Sequence, residues 1–291
     1  PLLSKGSAIG ALDAGLNAGA DTYSDAGSIS SWGATLNWKP TRRLSLLLAK
    51  SKDQMVPGLS QLGATTEVTP DAAFYDYVTA RSVIASRIDG GNLDLTADTR
   101  KIFKAELGWK PITGLNLTAA YTSLDDRNAQ FAFPGITAAA EAALPSRFLR
   151  DAAGALLSVD ARPFNAAREH RQELKLGLAF SKNFSSGSGP KAPGGGSFGG
   201  GHAFGAQGKM IQFSLTDTVR LKDEVQLAPG AAAIDLVSGN ALGDTLRIPR
   251  HRIEAQLSGT YHGFGLRSNA VWTSGGGAGA GPADGGSGKV D

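Results

Sequence analysis

The sequence predicts an all-β protein whose antiparallel strands form part of a transmembrane β-barrel with long extracellular loops. Three observations predict this class. Apolar and polar residues alternate with a period of two in many segments, and short connections alternate with long ones. No apolar stretch reaches the roughly 18 residues that mark a membrane-spanning helix, so strands are the only segments suited to crossing a bilayer.

Composition excludes several other classes of protein. The 291 residues include 39 Gly and no Cys, and the formal net charge is +3. A disulfide scaffold and a Cys-based zinc site are therefore impossible. The small basic excess has no clustered block, which argues against a nucleic-acid partner. The four histidines lack metal-ligand spacing, so we expect neither a metal site nor a cofactor.

Seven segments alternate regularly and two less regularly, which gives about nine strands. In one of them Phe103, Leu107 and Trp109 share the apolar face, while Lys104 and Glu106 share the other. Most of the segments, at about 9 to 14 residues, reach the 9 to 11 that a lipid-spanning strand requires. The regular segments are 31–39, 101–110, 114–124, 172–182, 211–216, 253–261 and 266–273, and the less regular ones are 8–20 and 43–51.

The connections between these segments fall into two lengths. Tight turns are predicted at 39–43, 111–114 and 262–265, and the Gly-rich stretch 187–206 is predicted as a further turn on the periplasmic side. Long segments cover 53–98, 127–169 and 223–249, the second with a short helix over 138–150. Compact soluble domains seldom hold so many long loops, whereas outer-membrane barrels have short periplasmic turns and long outer loops.

Aromatic residues recur beside the short turns. Trp38 and Trp109 each stand on the apolar face one step before a Lys-Pro turn, and Tyr261 and Phe264 take the matching place in the last hairpin. An indole has an apolar body and a polar edge, so it favours the level of lipid headgroups. We therefore expect these four residues at a membrane interface; packing of each ring in a sandwich core is the alternative.

Four motifs in the first third of the chain stand out: the loop Tyr23-Ser24-Asp25-Ala26-Gly27-Ser28, the strand end Trp38-Lys39-Pro40, the segment Met55-Val56-Pro57-Gly58-Leu59, and the loop Gly90-Gly91-Asn92-Leu93-Asp94-Leu95. Together they resemble the C-terminal half of the barrel of TonB-dependent receptors. The chain departs from the family where Gln54-Met55-Val56-Pro57 replaces an Arg-Ala-Pro form and Thr96-Ala97-Asp98 replaces Lys-Pro-Glu.

The resemblance implies a 22-stranded barrel with an N-terminal plug, located in the bacterial outer membrane. Such receptors import scarce nutrients, such as siderophore-bound iron, cobalamin or carbohydrate, and draw energy from the TonB complex through the plug. Residues 1–291 would be a partial barrel domain, a fragment that lacks the plug, with outer-membrane lipid and a small nutrient as partners. The protein would not be an enzyme. A structural or adhesive outer-membrane barrel and a soluble all-β glycan-binding domain remain open.

Ligand contacts are expected on the long loops, because binding groups concentrate on loops held by a rigid scaffold. Aromatic rings together with Arg suit anionic or sugar-like ligands. The candidates are Tyr75, Asp76, Tyr77, Arg81, Arg87 and Asp89 in the loop 53–98, and Arg147, Arg150 and Asp151 in the loop 127–169.

Overall fold

The computed structural model describes residues 9–23, 27–184, 209–237, 248–261 and 264–274. The predicted Gly-rich turn 187–206 and the centre of the predicted turn 262–265 lie outside these ranges. Among the described residues, none of the helices has the length and apolar character needed to cross a bilayer.

Nine long strands form one antiparallel sheet, which we call the wall. Their order is β1-β2-β3-β6-β7-β10-β11-β13-β14, and within the described residues β1 and β14 do not pair, so the sheet is open. The predicted all-β, antiparallel fold with about nine strands is thus confirmed. The wall strands are β1 Ala11–Tyr23, β2 Gly27–Lys39, β3 Leu44–Met55, β6 Asp98–Trp109, β7 Leu115–Phe131, β10 Phe164–Asn183, β11 Met210–Gln226, β13 His251–Tyr261 and β14 Phe264–Thr273. A short β12 Ile234–Asp235 pairs with β11.

The register of the wall places the predicted apolar residues on one face. Leu46 lies opposite both Trp38 and Leu107. Leu107 in turn lies opposite Ala119, and Ala119 opposite Leu176. Because directly paired residues share a face, this apolar face is continuous from β2 to β10, and on β11 Asp217 lies on it, opposite Leu176. The intervening residues, such as Glu106, form an equally continuous polar face.

On the polar face, two glycines lie close to side chains of the neighbouring strand. A Cβ atom added at Gly33 would lie 2.5 Å from Oδ1 of Asn17, and one added at Gly177 would lie 2.4 Å from Oγ1 of Thr118. Side chains from adjacent strands therefore converge on this face, as expected on the inner side of a barrel wall.

The two long segments expected to be loops are partly folded, which corrects the sequence interpretation. They form a second sheet of four strands, which we call the cap, in the order β4-β5-β9-β8. One connection supplies β4 and β5 and the other β8 and β9, with β5 and β9 parallel. The cap strands are β4 Glu67–Asp76, β5 Arg81–Asp89, β8 Phe148–Arg150 and β9 Leu156–Asp160, and a short helix α1 Leu59–Gly63 precedes them.

The helix predicted over 138–150 is much shorter in the structure. Helix α2 spans Ala138–Ala143, with the side chain of Thr137 accepting a hydrogen bond from the backbone N–H of Ala140. Pro145 disfavours a helical conformation at the preceding Leu144, which has φ −129° and ψ 54°. A 3₁₀ turn at Pro145–Arg147 and then β8 occupy the rest of the predicted range.

Buried apolar side chains gather in the cap and at the wall ends nearest to it. Phe148, Leu156 and Val159 of the cap pack in one cluster with Phe164 of β10 and Val225 of β11. Over the rest of the wall, no described element covers the apolar face, where Leu107 and Leu176 are each 43% exposed. The cap thus shares a buried core with the ends of β10 and β11, whereas the rest of the wall is a two-faced sheet.

Candidate functional site

The apolar face of the wall is a band with two ends. On β6 it runs from Trp109 to Phe103, which is about 20 Å along the strand at about 3.3 Å per residue, and Lys101 follows on the same face. On β10 it ends at Leu174, after which Gln172 faces the same way. The band therefore has polar residues beyond its cap-side end and tight turns at its other end.

All four predicted interface aromatics lie at the tight-turn end of this band. The indole Nε1 of Trp38 donates a hydrogen bond to the carbonyl of Ile9 at 2.9 Å, and Trp109 is half exposed. Tyr261 lies opposite Phe264 in the last hairpin, and both rings are exposed. The geometry matches an interfacial row, and their contact with lipid stays a prediction.

A second aromatic row at the cap-side end was missed from the sequence. It consists of Trp32, Phe103 and Tyr121, each on the apolar face. The ring centroids of Phe103 and Tyr121 lie 6.3 Å apart. The alternation of apolar and polar residues in the sequence could have revealed this row, because Phe103 and Tyr121 are the last apolar residues on this face before Lys101 and Ser123.

The polar face carries a charged network near the cap, which was also missed. Nε of Arg100 lies 3.2 Å from a carboxylate oxygen of Asp126, and Nη1 of Arg220 lies 2.6 Å from one of Asp223. Arg171 reaches the same Asp223 at 3.3 Å. With Asp98, Glu169 and Glu173, the network joins five carboxylates to three guanidinium groups across β6, β7, β10 and β11. It ties four strands together and leaves this part of the polar face negative.

Two predicted ligand residues, Asp76 and Arg150, bind each other inside the cap. Nη1 and Nη2 of Arg150 donate to the two carboxylate oxygens of Asp76 at 2.9 and 2.8 Å, and Nε donates to Glu141 at 2.6 Å. The Asp76 side chain is fully buried. Its hydrogen bonds from Arg150 and Thr79 hold the pKa of Asp76 well below the usual range, despite the opposing effect of burial. These bonds join β4, α2 and β8.

Arg147 and Asp151 also serve the internal structure of the cap. Nη1 of Arg147 donates to the carbonyl oxygens of Asp160 and Arg162 at 3.1 and 2.7 Å. Burial lowers the pKa of Arg147, although Asp160 opposes that shift. Oδ1 of Asp151 accepts hydrogen bonds from the backbone N–H groups of Ala153 and Ala155 at 2.9 and 2.8 Å, which closes the turn between β8 and β9.

The other five predicted ligand residues lie at the surface of the cap. Tyr75 and Tyr77 are half exposed, and their rings meet edge to face at 4.9 Å between centroids. Arg87 and Asp89 form an exposed ion pair at 2.8 Å. Arg81 is exposed, and none of the described residues forms an ion pair with it. The accessible candidates are therefore the two tyrosines and Arg81, with the Arg87–Asp89 pair nearby in sequence.

The Gly90-Gly91-Asn92 loop anchors the cap to the wall. A Cβ atom at Gly91 would lie 2.3 Å from the carbonyl oxygen of Leu62, so only glycine can approach α1 this closely. The backbone N–H of Gly91 donates to Ala64 at 2.9 Å, and Nδ2 of Asn92 donates to the carbonyl of Pro163, just before β10, at 2.9 Å. The motif thus has a structural role at the base of the cap.

No set of three or more His, Asp or Glu side chains in the described part of the chain is placed to hold a metal ion. The clustered carboxylates of the wall are instead paired with arginines. The described residues thus provide an accessible cap surface, with Tyr75, Tyr77 and Arg81, and a continuous polar face along the wall.

No known protein family model matches the chain, and no curated protein sequence matches it. Solved structures do match. The siderophore receptor PirA from Acinetobacter baumannii is similar, with a TM-score of 0.51 and 15% identity over 86% of this chain and 29% of that one. The chain has the fold of a siderophore-receptor barrel wall. A variant of the Pseudomonas aeruginosa ferric enterobactin receptor PfeA, in complex with enterobactin, has a TM-score of 0.51 and 14% identity, covering 90% of this chain and 30% of that one.

The shared fold covers 86% to 90% of this chain, and the chain spans about 30% of the length of these receptors. The resemblance to TonB-dependent receptors inferred from the sequence motifs is therefore confirmed at the level of the fold. At identities of 14% and 15%, the likeness concerns the course of the backbone and not the residues that bind a ligand.

Proposed function

We propose that the chain forms part of the barrel of an outer-membrane receptor that imports a scarce nutrient, of the siderophore-iron class, through a gated lumen. The observation that carries this proposal is the division of one continuous sheet into an apolar and a polar face. The band between the two aromatic rows suits the hydrocarbon layer, and the crowded polar face suits a water-filled or plugged interior.

The proposal assigns separate roles to the two parts of the chain. The wall crosses the outer membrane, with the tight turns in the periplasm and the cap outside. The cap receives the ligand, and the polar face guides it inward when a plug, coupled to the TonB complex, opens the path. The similar receptors support the nutrient class, since one of them is a complex with enterobactin. Catalysis has no part in this proposal.

Membrane orientation is tested by cysteine labelling, because the 291 residues contain no Cys of their own, and any Cys elsewhere in the full gene product is first replaced by Ser. Leu107→Cys and Glu106→Cys are adjacent on β6 and lie on opposite faces. Each variant of the full gene product is expressed in the bacterial outer membrane and treated with a water-soluble maleimide. We expect labelling at position 106 and protection at position 107. Equal labelling at both positions contradicts the orientation and favours a soluble all-β domain.

Transport is tested by uptake of ferric siderophores in iron-starved cells that express the full gene product. We expect uptake that disappears when the inner-membrane TonB system is deleted. A correctly inserted protein that gives no uptake with ferric siderophore, cobalamin or oligosaccharide favours a structural or adhesive barrel.

Ligand contact at the cap is tested with Tyr75→Ala/Tyr77→Ala, because both rings are accessible and in contact with each other. Truncating a central aromatic contact commonly costs more than about 1.4 kcal/mol, or about tenfold in affinity. We expect the Kd for the transported ligand to rise about tenfold or more. Tyr261→Ala at the opposite end of the wall is the matched control and leaves the Kd unchanged. An unchanged Kd in the double variant places the contact elsewhere.

A further inference from the structure

Three lysines stand together at the cap-side end of the apolar band. Lys50 and Lys52 are on β3 and Lys101 is on β6. Lys50 lies opposite Phe103, and Lys52 lies opposite Lys101. The register therefore places all three lysines on the apolar face, level with its last large residues, Trp32 and Phe103.

This arrangement is unfavourable by itself. Like charges directly opposite each other on an antiparallel pair destabilise the sheet, and Lys52 and Lys101 are such a pair. Within the described ranges no carboxylate forms an ion pair with any of the three lysines. Asp125 lies opposite Lys101 but is engaged by Arg168 and Arg127 instead.

The cations of the next strands on the same face differ, because each has a carboxylate within ion-pair distance. On β7 and β10, Asp125 lies beside Arg127 and Arg168, and on β11 Nζ of Lys222 lies 2.9 Å from a carboxylate oxygen of Glu224. Among the described residues at this end of the apolar face, the cations without a carboxylate partner are thus the lysines of β3 and β6, where an anion from outside the chain would offset the repulsion.

The depth of the three lysines indicates what that anion is. The indole of Trp32 and the ring of Phe103 mark the cap-side end of the band, and Lys52 and Lys50 lie directly beside them in register. Aromatic rows mark the interfacial layer of a bilayer, and lysines there extend their ammonium groups toward the headgroups. Positive side chains at this level attract anionic lipid headgroups.

We propose that Lys50, Lys52 and Lys101 form a binding site for the phosphate groups of a lipid in the outer leaflet, namely the phosphorylated glycolipid of the bacterial surface. The inference rests on the proposed function, since it requires the apolar face to meet lipid. The three lysines flank the seam between β3 and β6, so a bridging headgroup would also stabilise this pairing.

The test uses the full gene product purified from outer membranes in mild detergent, with diphosphorylated lipid A as the probe. Lys52→Gln/Lys101→Gln removes two positive charges from the site. Lys104→Gln/Lys175→Gln is the matched control, because it removes two lysines from the polar face of the same wall. We expect the first variant to retain at least about tenfold less lipid A than the wild type, as measured by mass spectrometry, and the control to retain the wild-type amount.

A competition arm separates the two sources of phosphate. Excess inorganic phosphate at constant ionic strength is expected to leave the bound lipid A in place, because acyl chains on the apolar band hold it. Displacement by inorganic phosphate, or equal retention of lipid A by both double variants, overturns the proposal. Cysteine labelling separates a failure of this proposal from a failure of the proposed function. Labelling of Leu107→Cys refutes the lipid-facing wall. Protection of Leu107→Cys, together with wild-type lipid A retention by Lys52→Gln/Lys101→Gln, refutes the lysine site alone.

Discussion

The wall and the cap are both β-sheets, yet they obtain their stability from different sources. The cap buries Phe148, Leu156 and Val159 in a common core and closes over an internal ion pair between Asp76 and Arg150. The wall leaves Leu107 and Leu176 uncovered by any described element. The cap therefore resembles a small soluble domain, whereas the wall depends on its surroundings to cover its apolar face. The comparison predicts that the two sheets respond differently to the same kind of change.

The largest expected effect is on the cap. Arg150→Ala leaves the fully buried Asp76 without its main partner, and breaking a buried ion pair in this way costs about 3–5 kcal/mol. Amide hydrogen exchange of the full gene product should show loss of protection in β4 and β8 and unchanged protection in β6 and β7.

Arg87→Ala is the matched control for that loss. Arg87 pairs with Asp89 at the same 2.8 Å, but the two side chains are 42% and 37% exposed. Exposed pairs contribute about 0–1 kcal/mol, so protection in the cap should hardly change. Equal losses in Arg150→Ala and Arg87→Ala contradict the structural role of the Asp76–Arg150 pair.

A smaller effect is expected in the wall, and its size depends on which face carries the substitution. Leu215 and Thr216 are adjacent on β11, with Leu215 on the apolar face opposite Leu178 and Thr216 on the polar face opposite Glu254. An arginine on the lipid face of a barrel costs about 2–4 kcal/mol at mid-depth. Leu215→Arg should lower the free energy of unfolding in bilayers by that amount, as measured by denaturant titration, whereas Thr216→Arg should leave it nearly unchanged. Equal effects argue that neither face meets lipid.

The smallest expected effect is the response to acid. Because the folded pKa of Asp76 is lowered by its hydrogen bonds from Arg150, its ionisation stabilises the cap fully above the unfolded value of about 3.9. That stabilisation is lost as the pH falls below about 4 toward the lowered pKa. Burial raises the pKa of Asp160, but hydrogen bonds from Arg162 outweigh this effect, so that the pKa of Asp160 is also lowered. Asp160 therefore contributes to the same loss of stability in acid.

Hydrogen exchange at pH 7 and pH 3 measures this difference. We expect protection in β4, β5 and β9 to fall at the lower pH, with the Asp76→Asn variant losing less on acidification than the wild type. A wild-type cap that is equally protected at both values contradicts the stabilising role of the carboxylate.

The wall could be predicted from sequence because many of its neighbouring strands are joined by short turns and therefore lie close together in the chain. Period-two alternation fixed which residues share a face, and short turns such as the one between β2 and β3 fixed the register. Phe103 and Leu107 lie on the face predicted for them. The second aromatic row could have been found the same way, from the point at which apolar residues give way to Lys101.

The cap could not be predicted because its pairing is not local. Ser86 of β5 lies opposite Ser158 of β9, on a different connection of the chain. In β4 the register shifts between Thr69 and Ala72, where Pro70 precedes an Asp71 with a positive φ of 58°, and this breaks the alternation that marks a strand. The hydrogen bonds between Arg150 and Asp76 depend on that fold, so the sequence alone could not reveal them.

The parallel pairing of β5 with β9 also bears on how such a protein can diverge. If recombination exchanges only one of the two connections, β5 or β9 loses its neighbour in the sheet and is left with an unpaired edge. We therefore expect the two connections to be inherited together. New specificity should therefore arise by point substitution at outward positions such as Tyr75, or by joint replacement of both segments.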